Sequence, residues 1–211
     1  MKLCVVIIAI GNPPYKQHAI PVFKHYFKKH NIDYKILEEN PIKEGIPDVH
    51  PSWLKLLVYK MFPDYDYIIS MDLDLLPKNP DVEFIHEFNM SKLSMCLDTG
   101  IRHTNNISDI PNFRYNCGLI GIPKTMAPFI EGVFEKHAPG IYPSMEQYHF
   151  NDEIVEQGID VHELPDDLNC IFLFKESKNA RFIHYTMRND AKDFVEPHAE
   201  KYFSIVLSLG I

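Results

Sequence analysis

Two aspartates separated by a single residue, Asp72 and Asp74, are the side chains in this sequence whose type and spacing point most directly to chemistry. They follow the string Asp66-Tyr67-Ile68-Ile69-Ser70-Met71, which reads as a buried strand. Ligands of open α/β sheets bind beyond the carboxyl ends of the strands. Two carboxylates left bare in a dry crevice are costly, so a cation is their natural partner. Hard oxygen ligands suit Mg2+ or Mn2+, held by one or two carboxylates together with the phosphates of a substrate. The plainer alternative is a chance pair, an aspartate after a strand often being only a helix cap.

The elements that must position this pair alternate between strand and helix over the first half of the chain. Residues 3–10 are a continuous apolar run rich in β-branched types, as in a central strand covered on both faces. Tyr15, Ala19, Val22, Phe23, Tyr26 and Phe27 recur at helical spacing. Residues 33–37 read as a second strand, and Trp53, Leu54, Leu57, Val58 and Met61 mark a second helical face ended by Pro63. Further strands are expected at 93–97, 117–122, 161–164, 171–174 and 181–185, with helices over 123–137 and 145–157. The apolar stretch 203–211 suits a last packed helix. The expectation is an α/β fold with a mixed, mostly parallel central sheet flanked by helices, its nucleotide-binding half over about residues 1–100.

Bulk properties narrow the function. At 211 residues the chain suits one domain. A net charge of −8, with no Lys/Arg stripe, argues against nucleic acid as the partner. Cys4, Cys96, Cys117 and Cys170 form no close pair and sit in apolar segments, so buried free thiols are expected. The opening apolar run ends in Gly11-Asn12-Pro13-Pro14 and lacks a small-x-small cleavage site, and no run reaches the ~18 residues of a membrane span. A cytoplasmic protein without a transmembrane segment is the expectation, in the host cytoplasm if viral.

Several segments resemble, in order, those of GT-A fold glycosyltransferases of the family 8 type (glycogenin-like and galactosyltransferase-like). The strand ending in Asp72-Leu73-Asp74 is similar to that family's metal-binding strand. Residues 3–12 resemble its first strand and uridine-facing loop, and Trp53-Leu54-Lys55 its aromatic-x-Arg/Lys step. Tyr115-Asn116-Cys117-Gly118 resembles the strand whose Asn meets the donor sugar. Glu146-Gln147 with Asn151 resembles the Asp-Gln-x-x-x-Asn segment beside the reacting carbon, and Phe182-Ile183-His184-Tyr185 the strand whose His completes the metal site. The likeness spans about residues 3–186. Glu146 stands where the family has Asp, Lys55 where it has Arg, and the family's terminal His-x-x-Gly-x-x-Lys-Pro-Trp is reduced to a nearby Lys192. The compact size resembles versions encoded by large algal viruses, in which such a domain can stand alone over 1–211 or open a longer chain.

The resemblance implies a hexose or deoxyhexose moved from a UDP-sugar to a glycan or protein-linked glycan acceptor, with retention, and an acceptor-facing half over about residues 101–211. It implies Mn2+ (or Mg2+) held by Asp72, Asp74 and His184; a core histidine bonded to a backbone carbonyl is the alternative for His184. Ala9, Ile10, Gly11 and Asn12 would line the nucleoside pocket, or form an ordinary Gly-Pro turn. Tyr15 fits either a base stack or its helix's core stripe. Lys55, Leu73, Asp98 and Asn116 would meet the donor; Asp98 alternatively caps the loop at Thr99 and Gly100, and Asn116 is alternatively a turn residue opening its strand. Arg102 and His103 face donor, acceptor or water. Gln147, Glu146 and Asp74 are the catalytic candidates. An inverting enzyme would need a general base, for which Glu146, Asp152 or Glu153 is the right type. A dehalogenase-type phosphatase would carry Asp-x-Asp on its first strand, and a sugar nucleotidyltransferase a Gly-rich basic loop; neither is present. A non-catalytic carbohydrate-binding domain on the same fold is the remaining competitor.

Overall fold

The computed structural model describes residues 1–42, 49–98, 114–138, 146–172, 179–186 and 191–210. Its first elements are β1 (Leu3–Ile8), α1 (Lys16–Lys29) and β2 (Tyr34–Leu37). A 3-10 segment, Pro51–Leu57, then runs into the single turn α2 (Val58–Met61), and β3 (Tyr67–Asp72), β4 (Leu75–Pro77) and β5 (Leu93–Leu97) follow. The later elements are β6 (Tyr115–Pro123), α3 (Ala127–His137), α4 (Glu146–Glu156), β7 (Val161–Leu164), β8 (Cys170–Ile171), β9 (Phe182–His184) and α5 (Lys192–Leu209).

The large sheet has the order β2-β1-β3-β6-β5-β7, and the small one β4-β9-β8. In the large sheet β6 alone runs against its neighbours, pairing antiparallel with both β3 and β5 while the other pairings are parallel. The mixed, mostly parallel sheet expected from the strand–helix alternation is therefore present. Strands from both sides of residue 100 share it, because β6 inserts between β3 and β5.

Alternation along the central strands divides the interior into two cores. Val5 and Ile7 of β1 and Tyr67, Ile69 and Met71 of β3 face one core, closed by α1 and α5 through Phe23, Phe27, Val195 and Tyr202. Cys4, Val6 and Ile68 face the other, closed by the 3-10 segment, α3 and α4 through Trp53, Leu57, Val133 and Phe150. A strand buried on both faces needs a near-continuous apolar run, which residues 3–8 supply. The four cysteines are free and buried, as expected.

Two local expectations are corrected. Residues 53–57 form a 3-10 segment rather than an α-helix, opened by Pro51 with His50 accepting from Ser52 N–H, and Trp53, Leu54, Lys55, Leu56 and Leu57 are all buried rather than forming a one-sided stripe. The last helix begins at Lys192, well before the apolar stretch, and carries Pro197 inside it.

Candidate metal and donor site

The turn Leu73-Asp74 joins β3 of the large sheet to β4 of the small one. β4 pairs with β9 in a register that sets Leu75 opposite His184. Tyr185 N–H donates to the Asp74 carbonyl at 3.0 Å and fixes the turn against β9. His184 Nε2 consequently lies 3.3 Å from Asp74 Oδ1 and 3.8 Å from Asp72 Oδ2. One ligand atom from each of the three residues lies within 4.8 Å of the others. Asn169 Oδ1 sits 2.8 Å from His184 Nδ1, whereas Nε2 is buried with no hydrogen-bond partner, the one such side-chain N or O atom among the described residues. Buried polar atoms are paired with few exceptions, so an orphaned imidazole nitrogen facing two carboxylates fits a divalent cation. Burial works against charge on the His184 ring, but Asp74 and then Asp72 raise its pKa above the ordinary value. Burial likewise opposes charge on Asp74, and the facing His184 holds that carboxyl below its usual range.

Lys55 reaches the same corner from the 3-10 segment and is 2% exposed. Its ammonium donates to Asp72 Oδ1 at 2.7 Å and to the Cys117 carbonyl at 3.0 Å, and lies 3.6 Å from Glu146 Oε1. Burial alone would lower its pKa; Asp72 and Glu146 override this and raise it. Glu146 is buried, and its other oxygen accepts from Ser52 Oγ at 2.8 Å. Ser52 carries no motif and is a contact that sequence reading missed.

A bulge in β6 builds the adjoining wall. Pairing with β5 jumps from Met95↔Ile120 to Cys96↔Asn116, which leaves Cys117, Gly118 and Leu119 without partners on β5. Bulges disrupt the ladder locally, and here side chains take up the freed groups. Gln147 Oε1 accepts from Cys117 N–H at 2.9 Å, and Lys55 donates to the Cys117 carbonyl. Gln147 Nε2 and Asn116 Nδ2 both donate to Asp98 Oδ2, at 3.0 and 2.9 Å. Gly118 is required at the bulge: a Cβ there would lie 2.3 Å from His184 Cε1. Asn151 clamps α4 to β6, accepting from Arg114 and Tyr115 N–H and donating to the carbonyls of Tyr115 and Gln147. The structure thus brings Lys55, Asp72, Asp74, Asp98, Asn116, Glu146, Gln147 and His184 into one polar cluster. Asn169, from the segment before β8, joins it without any motif to announce it.

The segment after β1 lies beside this cluster. Ala9 is buried, and its N–H donates to the Leu37 carbonyl at 2.8 Å. Ile10 packs partly buried on the second core. Gly11 takes φ +86°, a conformation glycine adopts without strain, and both it and Asn12 are exposed. Tyr15 packs on the first core, and burial followed by Asp74 and Asp72 raises its phenol pKa. A groove of ≈ 560 Å³ runs along this turn, lined in part by Asn12, Pro13, Lys16 and Glu38. None of the three metal-type ligands lines that groove. Leu73 buries its side chain in the first core. Arg102 and His103, with Thr99 and Gly100, lie outside the described residues, and Lys192 is exposed at the start of α5.

The same architecture recurs among solved structures. A glycosyltransferase involved in the glycosylation of the major capsid of PBCV-1 is 16% identical, with a TM-score of 0.63 over 94% of this chain and 99% of that one. The galactosyltransferase LgtC, solved with donor and acceptor sugar analogs, is 12% identical, with a TM-score of 0.61 over 94% and 96% of the two chains. The fold is that of GT-A glycosyltransferases. A Drosophila galactosyltransferase solved with manganese, UDP-Gal and xylobiose shares it more loosely, at 14% identity and a TM-score of 0.53 over 91% and 74% of the chains. No protein-family model matches the sequence, and no curated protein matches it. Among the described residues of this GT-A fold, no helix is long and apolar enough to cross a membrane.

Proposed function

We propose that the chain is a metal-dependent glycosyltransferase that moves a hexose or deoxyhexose from a UDP-sugar to a glycan acceptor with retention of configuration. The observation that carries this reading is the convergence of Asp72, Asp74 and the unpartnered Nε2 of His184 at the carboxyl end of β3. These three residues would hold Mn2+ or Mg2+, and an imidazole among the donors favours Mn2+. The chemistry such a cation supplies is Lewis-acid: it offsets charge developing on the departing nucleoside diphosphate.

The protein's own groups do the rest. Gly11 and Asn12 would line the nucleoside with their exposed backbone, and Tyr15 would stand beside the carboxylates. Asp98 and Asn116 would bind sugar hydroxyls, with Gln147 near the anomeric carbon, where its amide is held at both ends. Lys55 holds the Asp72 side chain in place, because its ammonium cannot leave without stranding a buried charge. Glu146 is engaged by Ser52 and Lys55, and Glu153 by Lys136, His137 and Gln157, so neither is free to act as the base of an inverting reaction. Of the three base candidates for an inverting reaction this leaves Asp152 on α4, so retention rests on the family likeness.

The test is a calorimetric screen of nucleotide sugars with and without Mn2+. Metal-dependent binding of one UDP-sugar, abolished in Asp72→Ala and Asp74→Ala, is the expected result. Binding that is indifferent to Mn2+ and to both substitutions would sink the metal assignment.

A further inference from the structure

The neighbours of His184 form a chain of amides whose polarity can be worked out atom by atom. Gly118 N–H can only donate, and it faces Asn116 at 2.8 Å, so the atom presented to it is Oδ1. The Asp98 carboxylate can only accept, and it faces the other end of the same amide at 2.9 Å, which must be Nδ2. Asn116 Oδ1 also meets Asn169 at 2.8 Å, so Asn169 presents its Nδ2 there. Asn169 therefore turns Oδ1 toward His184 Nδ1, 2.8 Å away, and that ring nitrogen must carry a proton. In the neutral ring the other nitrogen, Nε2, is then a bare lone pair facing Asp72 and Asp74.

We propose that Asn169 is a positioning residue: relaying the orientation set by Asp98 and Gly118, it locks His184 in the Nδ1–H tautomer whose free Nε2 can bind a metal. The inference rests on the metal reading above and adds a residue that no motif marks. Outer partners of metal-bound histidines fix the tautomer and ring orientation, and losing one typically weakens metal binding by about 10–100-fold. Without Asn169 the proton would gain by moving to Nε2, where Asp74 Oδ1 at 3.3 Å can accept it. The ring would then present an N–H, not a lone pair, to an incoming cation. The relay also ends on Asp98 and Asn116, the residues proposed to bind the donor sugar, so a sugar hydroxyl bonding there would act on the same network.

Gly118 supplies the rival account. Its missing Cβ makes room for the ring, so packing alone would hold His184 and leave Asn169 a filler. Nitrogen NMR of histidine-labelled, metal-free protein, at a pH high enough for a neutral ring, separates the two, alongside Mn2+ titration followed by the resonance of free Mn2+. The wild type should show Nδ1 protonated and Nε2 bare. Asn169→Leu, which keeps the bulk but not the acceptor, should populate the Nε2–H tautomer and weaken Mn2+ binding by about 10–100-fold. Asn169→Asp keeps an acceptor for Nδ1 but loses the donor to Asn116 Oδ1, so the tautomer alone is read from it: the Nδ1–H form should persist, and its loss would overturn the proposal even if the leucine variant misfolds. Unchanged tautomer or unchanged affinity in a folded Asn169→Leu protein overturns the proposal, as does loss of the Nδ1–H tautomer in Asn169→Asp. A wild-type ring protonated on Nε2 sinks this inference alone, whereas a wild-type protein that takes up no Mn2+ sinks the metal reading beneath it.

Discussion

Glu153 and Asp74 each meet a histidine, yet the two contacts are finished in different ways. Glu153 on α4 accepts from Lys136, from His137 at 2.7 Å and from Gln157 at 2.7 Å, so both its oxygens are engaged. The Lys136 bond, against the opposing effect of burial and with help from His137 and Gln157, holds its pKa down at about 2. At the other corner Asp72 and Glu146 flank the Lys55 ammonium, Asp74 faces His184, and His184 Nε2 is left without a hydrogen-bond partner. A charged cluster that serves the fold closes on itself. One that awaits a ligand stays open and acidic, at some expense to the fold.

The comparison breaks most sharply at Asp74. Asp74→Ala should remove Mn2+ binding and reduce transfer by about 10²–10⁴-fold, the scale of losing several kcal/mol of charge stabilisation; initial rates at saturating Mn2+ read this out. Gly118→Ala should cost about 1–3 kcal/mol in urea denaturation, because the new Cβ collides with the His184 ring, and should also weaken Mn2+ uptake. A cation that binds the folded chain should stabilise the open corner by about 2.7 kcal/mol at a hundred times its Kd, visible as a rise in Tm that Asp74→Ala lacks. Glu153→Gln is the control at the closed corner. It should leave Mn2+ binding intact and cost about 1 kcal/mol at neutral pH, since the exposed Lys136 is screened by water.

The sign of the pH effect at Glu153 follows from its depressed pKa. A carboxylate at about 2 when folded, against 4.5 ordinarily, stabilises the fold fully above about pH 4.5 and loses that contribution as pH falls through 2. The gap between wild type and Glu153→Gln in urea midpoints should therefore close near pH 2; a gap constant from pH 7 to pH 2 would contradict it.

How legible these corners were depends on the range of the contacts. Asp72 and Asp74 could be read because a buried strand has period-independent apolarity and the acids end it within one short window. Cys117-Gly118 was visible as a strand but not as a bulge, since only pairing with β5 reveals the unpaired residues. The approach of His184 to Asp74 depends on the β4–β9 register, and β4, at three residues ending in proline, is too short to announce itself. Asn169 follows a 3-10 turn, where an Asn is unremarkable; only the amide chain gives it meaning. Family likeness supplied His184 and Gln147, not spacing.

The central claim is that Asp72, Asp74 and His184 form a metal site that activates a nucleotide sugar. Its most direct test is UDP release from the UDP-sugar selected by calorimetry, in metal-free protein titrated with Mn2+, for wild type and Asp74→Asn. The account predicts release that rises with Mn2+, collapses on chelation, and is absent from Asp74→Asn at every metal concentration. Equal release by both proteins, with or without Mn2+, would contradict it.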